Sequence, residues 1–198
     1  AGPALCEGFG VQSPHDSVAL TEPDEIMQAC FEDLLSGQAE GTGWRQSRIP
    51  VSGVKTPTPS QPELRIHNAT LWGGNLTMLT TLLGTPFFPE VKGGALFLED
   101  TGEHPYRIER MLTQLLHAGV LARQKAIVFG QFTDYKLVAH DKGFKLATVL
   151  DWLRSQVKTP ILTNLPYGHV QTKVLLPVGA RVDLVTDARD VIMVWGHV

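Results

Sequence analysis

The sequence predicts a mixed α/β domain that ends in a strand-rich section. Between residues 94 and 166, short apolar runs alternate with helical patterns in the order strand, helix, strand, helix, strand. Such alternation implies parallel strands joined by helical crossovers. The three segments 173–179, 180–187 and 190–196 then follow with only short turns between them, which predicts an antiparallel addition to the sheet. Hydrophobic residues make up 43% of the 198-residue chain, enough for a buried core.

The spacing of hydrophobic residues, together with Gly and Pro residues at the ends of segments, predicts each helix and strand. Pro23 precedes the first helical pattern, Gly73-Gly74 interrupts the first strand, Pro105 opens a later helix and Gly119 suits its C-terminal cap. The predicted helices are 24–35, 75–84, 105–119 and 144–157, and the predicted strands before the closing section are 63–72, 94–99, 126–132 and 160–166.

The N-terminal part of the chain has a different composition. Residues 1–22 show no period, and residues 37–62 are polar and rich in Gly and Pro, as in a linker or a long surface excursion. We therefore divide the chain into a leading segment with linker, residues 1–42, and a main domain, residues 43–198.

Composition and charge exclude several classes of function. The net charge is −3, without the basic stripe of a nucleic-acid-binding protein, and no apolar run approaches the roughly 20 residues that span a bilayer. The opening residues also lack the pattern of a signal peptide. Cys6 and Cys30 have neither CxxC nor metal-ligand spacing, so two free thiols are favoured over a disulfide.

Glu99 is the first candidate for chemistry. It ends the apolar strand ALFLE, and ligands of open α/β sheets collect at the carboxyl ends of strands. The structural alternative is a cap for the helix that opens at Pro105. Asp100 and Glu103 suit that role better, because they lie closer to the start of the helix.

His169 is the second candidate, at the end of another predicted strand and directly after Gly168. An imidazole titrates near working pH and is the usual general base for a hydroxyl nucleophile, although most histidines are structural or exposed. A carboxylate beside the ring fixes its tautomer and stabilises the imidazolium, so Glu99 and His169 could act together. None of the seven histidines forms an HxxxH pair, and we predict no metal.

A nucleophile to complete such a pair is missing from the expected context. The serines lie in polar stretches or, for Ser155, near the end of a helix, and none occupies a GxSxG turn. Cys30 lies on the apolar face of a predicted helix, where packing is favoured over reactivity.

Four segments, 71–86, 96–119, 128–134 and 165–180, resemble the serine LD-carboxypeptidases of the murein tetrapeptide type. The resemblance extends from about residue 43 to residue 196. It implies a domain like the swivelling β/β/α type with a mixed sheet, preceded by a short remnant of a flavodoxin-like N-terminal domain. In that family the N-terminal domain holds a nucleophilic serine, and the C-terminal domain supplies a glutamate and a histidine, which fall on Glu99 and His169.

The resemblance implies an enzyme that removes terminal D-Ala from murein tetrapeptides, with no cofactor and no metal. It places the serine before Ala1, so that this chain alone would be inactive and would need the serine-bearing domain as its partner. The expected assembly is a homodimer. The expected location is the cytoplasm, or the periplasm where an export signal has been removed.

Two weaker assignments and two alternatives remain open. Gly73, Gly74 and Asn75 would border the cleft, although Asn75 also suits a helix N-cap. Arg107 could hold a substrate carboxylate, but pairing with Glu103 or Asp100 is favoured. A microcin-immunity-type peptidase would need an aromatic ring that stacks a base, for which Tyr135 in loop 133–143 is the candidate. A non-catalytic binding or dimerisation domain is the other alternative.

Overall fold

The computed structural model describes residues 24–46 and 63–196, and within them lie four helices and a seven-stranded mixed sheet. The helices are α1 Glu25–Ser36, α2 Leu76–Leu82, α3 Pro105–His117 and α4 Leu146–Gln156. The strands are β1 Gly41–Arg45, β2 Leu64–Asn75, β3 Ala95–Thr101, β4 Ala126–Thr133, β5 Ile161–Leu162, β6 Arg181–Asp187 and β7 Asp190–Val194. No described helix combines the length and hydrophobicity that crossing a bilayer requires.

The sheet has the order β1-β7-β6-β2-β3-β4-β5 and two halves of different character. Strands β2 to β5 pair in parallel, whereas β2-β6, β6-β7 and β7-β1 pair antiparallel. This confirms the parallel α/β core between residues 94 and 166, where α3 and α4 connect the strands, and the antiparallel closing section. The sheet is mixed, as predicted.

Two of the sequence predictions differ from the structure. Residues 173–179 form no strand: Pro177 has no N–H for a ladder, and the Val174 N–H donates to the Pro166 carbonyl oxygen instead. The predicted linker 37–62 contains β1, which pairs with β7 from Gly41 to Arg45. The segments 1–23 and 47–62, with the predicted N-terminal remnant and Cys6, lie outside the described residues.

The two faces of the sheet carry separate hydrophobic cores. One face of the parallel half packs against α2, α3 and α4 through a cluster that includes Leu96, Leu98 and Ile108. The other face is buried against the chain that follows β5, in a cluster that includes Phe97 and Leu176. Side chains alternate between these faces along each strand, so neighbouring residues of β3 enter different environments.

The sheet curls until its two edges approach each other. The Trp44 indole, on edge strand β1, donates a hydrogen bond to the carbonyl oxygen of Thr163, just beyond edge strand β5, at 3.0 Å. The Asn164 side chain returns one to the carbonyl oxygen of Arg45 at 2.8 Å. The second core is therefore enclosed by the sheet on several sides.

Candidate functional site

Glu99 lies near the carboxyl end of β3 and is 6% exposed. Phe97 belongs to the core away from the helices, and strand alternation places Glu99 on that same face. Asp100 faces the other way, toward α2, where it accepts hydrogen bonds from Thr77. The side chains of these two adjacent acidic residues therefore lie on opposite faces of the sheet. Of the two, only Glu99 faces the segment that carries His169.

A β-bulge lies opposite Glu99. The register between β3 and β4 passes from Leu98–Phe129 to Asp100–Phe132, so β4 contains one extra residue at this point. Gly130 lies within the bulge, and a Cβ on it would stand 3.4 Å from the Glu99 Cβ and 2.5 Å from the Tyr167 carbonyl oxygen. Bulges re-aim side chains and are common next to active sites. Here the bulge and Gly130 make room for the carboxylate and the chain that covers it.

The chain after β5 crosses this end of β4 and brings His169 to Glu99. The Gln131 N–H donates to the Tyr167 carbonyl oxygen at 2.8 Å, and the Tyr167 ring packs edge-on against Phe97. Gly168 follows with a φ of +131°, and a Cβ there would stand 3.3 Å from the Glu99 Oε2. His169 is exposed at the rim of the same site. The predicted strand 160–166 shrinks to Ile161–Leu162, because its remaining residues form this crossing.

The Glu99 carboxyl group is buried beside several charges. Its Oε2 atom has no hydrogen-bond partner among the described residues. Burial raises the pKa of Glu99, and the negative charge of Asp100 adds to this effect. The Asn75 amide and the positive charges of His169 and Lys173 act in the opposite direction on the pKa. A carboxylate with an unpaired oxygen beside an exposed imidazole can orient the ring and stabilise its protonated form.

Asn75 and Asp100 hold the junction between β2 and α2 next to Glu99. Asn75 pairs with Glu99 in the β2-β3 register, and its Oδ1 caps α2 by accepting the Met78 N–H at 3.0 Å. Its amide donates to Asp100 Oδ1 at 2.9 Å, while Asp100 Oδ2 accepts the Thr77 N–H at 2.9 Å. The helix-cap interpretation of Asn75 is confirmed. Asp100, which suited a cap of α3 better than Glu99 did, instead points its carboxylate toward α2.

The other predicted site residues have distinct positions. Gly73 and Gly74 have φ values of +132° and +142° at the end of β2, and a Cβ on Gly74 would meet nothing within 4 Å. Arg107 forms an ion pair with Glu103, with 2.7 Å between Nε and Oε2. This is the structural role that the sequence favoured for it.

The aromatic side chain proposed for base stacking already has a neighbour. Tyr135 is half-buried with its ring edge-on to His104, 6.4 Å between centroids, and burial raises the pKa of its hydroxyl. His104 in turn contacts Asp141 at 3.2 Å through Nε2. Across the described ranges, no cluster of three His, Cys, Asp or Glu residues could hold a metal ion.

Neither described serine supplies a nucleophile beside Glu99. Ser36 ends α1, and the Ser155 hydroxyl, near the end of α4, donates to the Trp152 carbonyl oxygen. Burial, followed by the nearby charge of Asp33, raises the pKa of the half-buried Cys30 thiol, which disfavours its reactive thiolate. The remaining serines lie in segments outside the described residues.

Comparison with known proteins places the chain in a family. A model described as the LD-carboxypeptidase C-terminal domain matches residues 68–184, a range that contains Glu99 and His169. The chain belongs to the LD-carboxypeptidase C-terminal domain family. The β-bulge opposite Glu99 and the crossing that carries His169 both lie within the matched residues.

Similar proteins agree with this LD-carboxypeptidase assignment. The chain is 36% identical over 179 residues to a carboxypeptidase-named protein of Synechocystis sp., covering 90% of the chain and 56% of that relative. It is 39% identical over 108 residues to a murein tetrapeptide carboxypeptidase of Pseudomonas aeruginosa, covering 53% of the chain and 34% of that relative. The solved muramoyltetrapeptide carboxypeptidase of Oxalobacter formigenes has a TM-score of 0.76 and 37% identity, covering 90% of the chain and 57% of that structure.

The chain also has a more distant likeness to proteins of another name. The microcin C7 self-immunity protein of Escherichia coli is 26% identical over 199 residues, covering 96% of the chain and 57% of that relative. A solved structure of a protein of this name, with 20% identity and a TM-score of 0.69, covers all of the chain and 61% of that structure, and shows a shared fold. The chain spans little more than half the length of these relatives.

Proposed function

We propose that the chain supplies the glutamate and histidine of a Ser-Glu-His triad in a serine LD-carboxypeptidase that removes terminal D-Ala from murein tetrapeptides. The observation that supports this most directly is the buried Glu99 Oε2, unpaired and packed against the backbone that leads into His169. The murein tetrapeptide carboxypeptidases among the similar proteins support the substrate class. The serine belongs to another part of the parent protein.

In this mechanism the serine hydroxyl attacks the amide carbonyl while His169 takes its proton. The ionised Glu99 orients the imidazole and stabilises the imidazolium. His169 then gives the proton to the departing amine of D-Ala, and water hydrolyses the acyl-enzyme with His169 again as base. The hydrogen bond between Glu99 and His169 forms as substrate binds, since catalytic hydrogen bonds often tighten only in the complex.

Gly73, Gly74 and Asn75 form the proposed substrate-facing border of the site. The open space at the α-carbon of Gly74 allows a peptide to approach the backbone closely. Arg107 stays a weaker candidate for the substrate carboxylate, because binding there would compete with its ion pair to Glu103.

The test uses the full-length parent protein and the tetrapeptide L-Ala-D-Glu-meso-diaminopimelate-D-Ala, with release of D-Ala as the readout. We expect His169→Ala to lower kcat about 10⁶-fold and Glu99→Ala about 10⁴-fold, in line with the loss of the histidine and of the carboxylate in serine proteases. His117→Ala removes an exposed histidine at the end of α3 and should keep wild-type turnover. Wild-type turnover by the His169→Ala protein would reject the triad.

Two further arms separate the alternatives. The 198-residue chain alone should release no D-Ala, and measurable release would contradict a nucleophile supplied from elsewhere. A nucleotidyl peptide offered in place of the tetrapeptide tests the microcin-immunity alternative. Its preferred cleavage would reassign the substrate while leaving Glu99 and His169 in their roles.

A further inference from the structure

Lys173 is buried to 6% exposure, although lysine is among the residues that are least often buried. It lies in a loop that folds back on itself: the Val174 N–H donates to the Pro166 carbonyl oxygen at 2.8 Å. Gly168, in the same loop, packs against the Glu99 carboxylate. The loop therefore carries a buried cation to the same region as the buried anion.

The groups around Glu99 have different charges at different moments. Asp100 repels the carboxylate throughout, and the nearby hydroxyl of Tyr167 is uncharged at neutral pH. In the proposed mechanism His169 must be neutral when it takes the serine proton, so at that stage it cannot keep Glu99 charged. Lys173 is the other positive group that lowers the pKa of Glu99, and the proposed reaction does not change its charge.

We propose that Lys173 is a positioning residue whose buried ammonium group keeps Glu99 charged and fixes the loop 166–174 against the end of β3. This inference rests on the proposed roles of Glu99 and His169. A buried carboxylate without a nearby cation would tend to bind a proton, and a neutral Glu99 could not stabilise the imidazolium of His169. Lys173 thus prepares the site before substrate arrives.

The charge interaction is measurable in the 198-residue chain without any activity. The side-chain carboxyl ¹³C signal of Glu99 is titrated by NMR in wild type, Lys173→Met and Lys173→Arg. We expect Lys173→Met to move the midpoint upward by roughly one pH unit and Lys173→Arg to retain the wild-type midpoint. Lys92→Met removes an exposed lysine before β3, at the other end of the strand, and is the matched control. An unchanged midpoint in Lys173→Met overturns the proposal.

A second measurement covers the case in which Lys173→Met fails to fold. In Glu99→Gln, the ¹³Cε signal of Lys173 should titrate at lower pH than in wild type, because the neighbouring anion is gone. An unchanged Lys173 titration there overturns the proposal as well.

Activity of the full-length protein then separates this inference from the proposed function. If both hold, Lys173→Met shifts the acid limb of the kcat/KM profile upward, and Lys173→Arg restores it. A normal acid limb in Lys173→Met rejects the positioning role. If wild-type protein releases no D-Ala at all, the proposed function fails, whereas the charge interaction is still decided by the NMR titrations.

Discussion

At the scale of single residues, Glu99 combines features that rarely occur together in a residue that only stabilises the fold. It is buried, one carboxyl oxygen has no hydrogen-bond partner in the described part of the chain, and the adjacent Asp100 adds a second negative charge. Each feature costs folding free energy, since buried polar groups are normally paired. Such a cost is typical of residues held for function.

This cost predicts how stability depends on pH. The pKa of Glu99 is raised by burial, so the folded state binds the proton more tightly than the unfolded chain. The stabilisation that Glu99 gains by binding this proton is fully present below the unfolded pKa of about 4.3. It is lost as pH rises through the folded pKa. Glu99→Gln cannot ionise. Its free energy of unfolding, relative to wild type, should therefore increase with pH across this window and then level off.

Urea unfolding of both proteins from about pH 4 to about pH 8 provides the measurement. Glu90→Gln, which alters an exposed carboxylate, is the matched control. A difference between Glu99→Gln and wild type that stays constant or narrows with rising pH would show that burial does not govern this group.

At the scale of elements, the end of β2 depends on two adjacent glycines with different surroundings. Both have φ values that L side chains rarely adopt, +132° at Gly73 and +142° at Gly74. A Cβ on Gly73 would stand 1.9 Å from the Phe97 carbonyl oxygen on β3, whereas one on Gly74 would meet nothing within 4 Å. Gly73 is thus required by strand pairing as well as by backbone conformation, and Gly74 by backbone conformation alone.

The two alanine variants should separate these requirements. Gly74→Ala should lower the free energy of unfolding by about 1–3 kcal/mol through backbone strain. Gly73→Ala should cost clearly more, because β2 and β3 must also move apart beside Glu99. Urea unfolding of the two single variants provides the comparison. Equal losses would mean that the contact with Phe97 relaxes freely.

At the scale of the whole molecule, local patterns predicted most elements but not their long-range contacts. Apolar spacing located the four α-helices of the described residues, and the rule for strand ends identified Glu99 and His169 as candidates. Strand β1, with the sequence GTGWR, contains a single large apolar side chain and exists through pairing with β7. Residues 173–179 are as apolar as a strand, but they fill the second core without a ladder.

The sequence predicted the candidate site residues that lie at strand ends, but not those that reach the site through long-range packing. The bulge at Gly130 had one local signal, a glycine inside an apolar strand, which suggests a bulge or a close backbone approach. Lys173 and Asp100 had no such signal. Their roles depend on a loop that returns to β3 and on a helix that starts beside it, and both arise from packing between distant segments.

Closure of the sheet joins β1, which precedes β2, to the chain after β5 that carries His169. The Trp44 indole N–H donates to the Thr163 carbonyl oxygen, whereas the Trp195 indole N–H is buried without a partner among the described residues. Trp44→Phe should therefore lower the free energy of unfolding by about 1–3 kcal/mol beyond Trp195→Phe, which sacrifices no hydrogen bond. Both changes remove the same atoms from a tryptophan, and urea unfolding measures the two losses. Equal losses would show that the hydrogen bond from Trp44 to Thr163 does not stabilise the closure of the sheet.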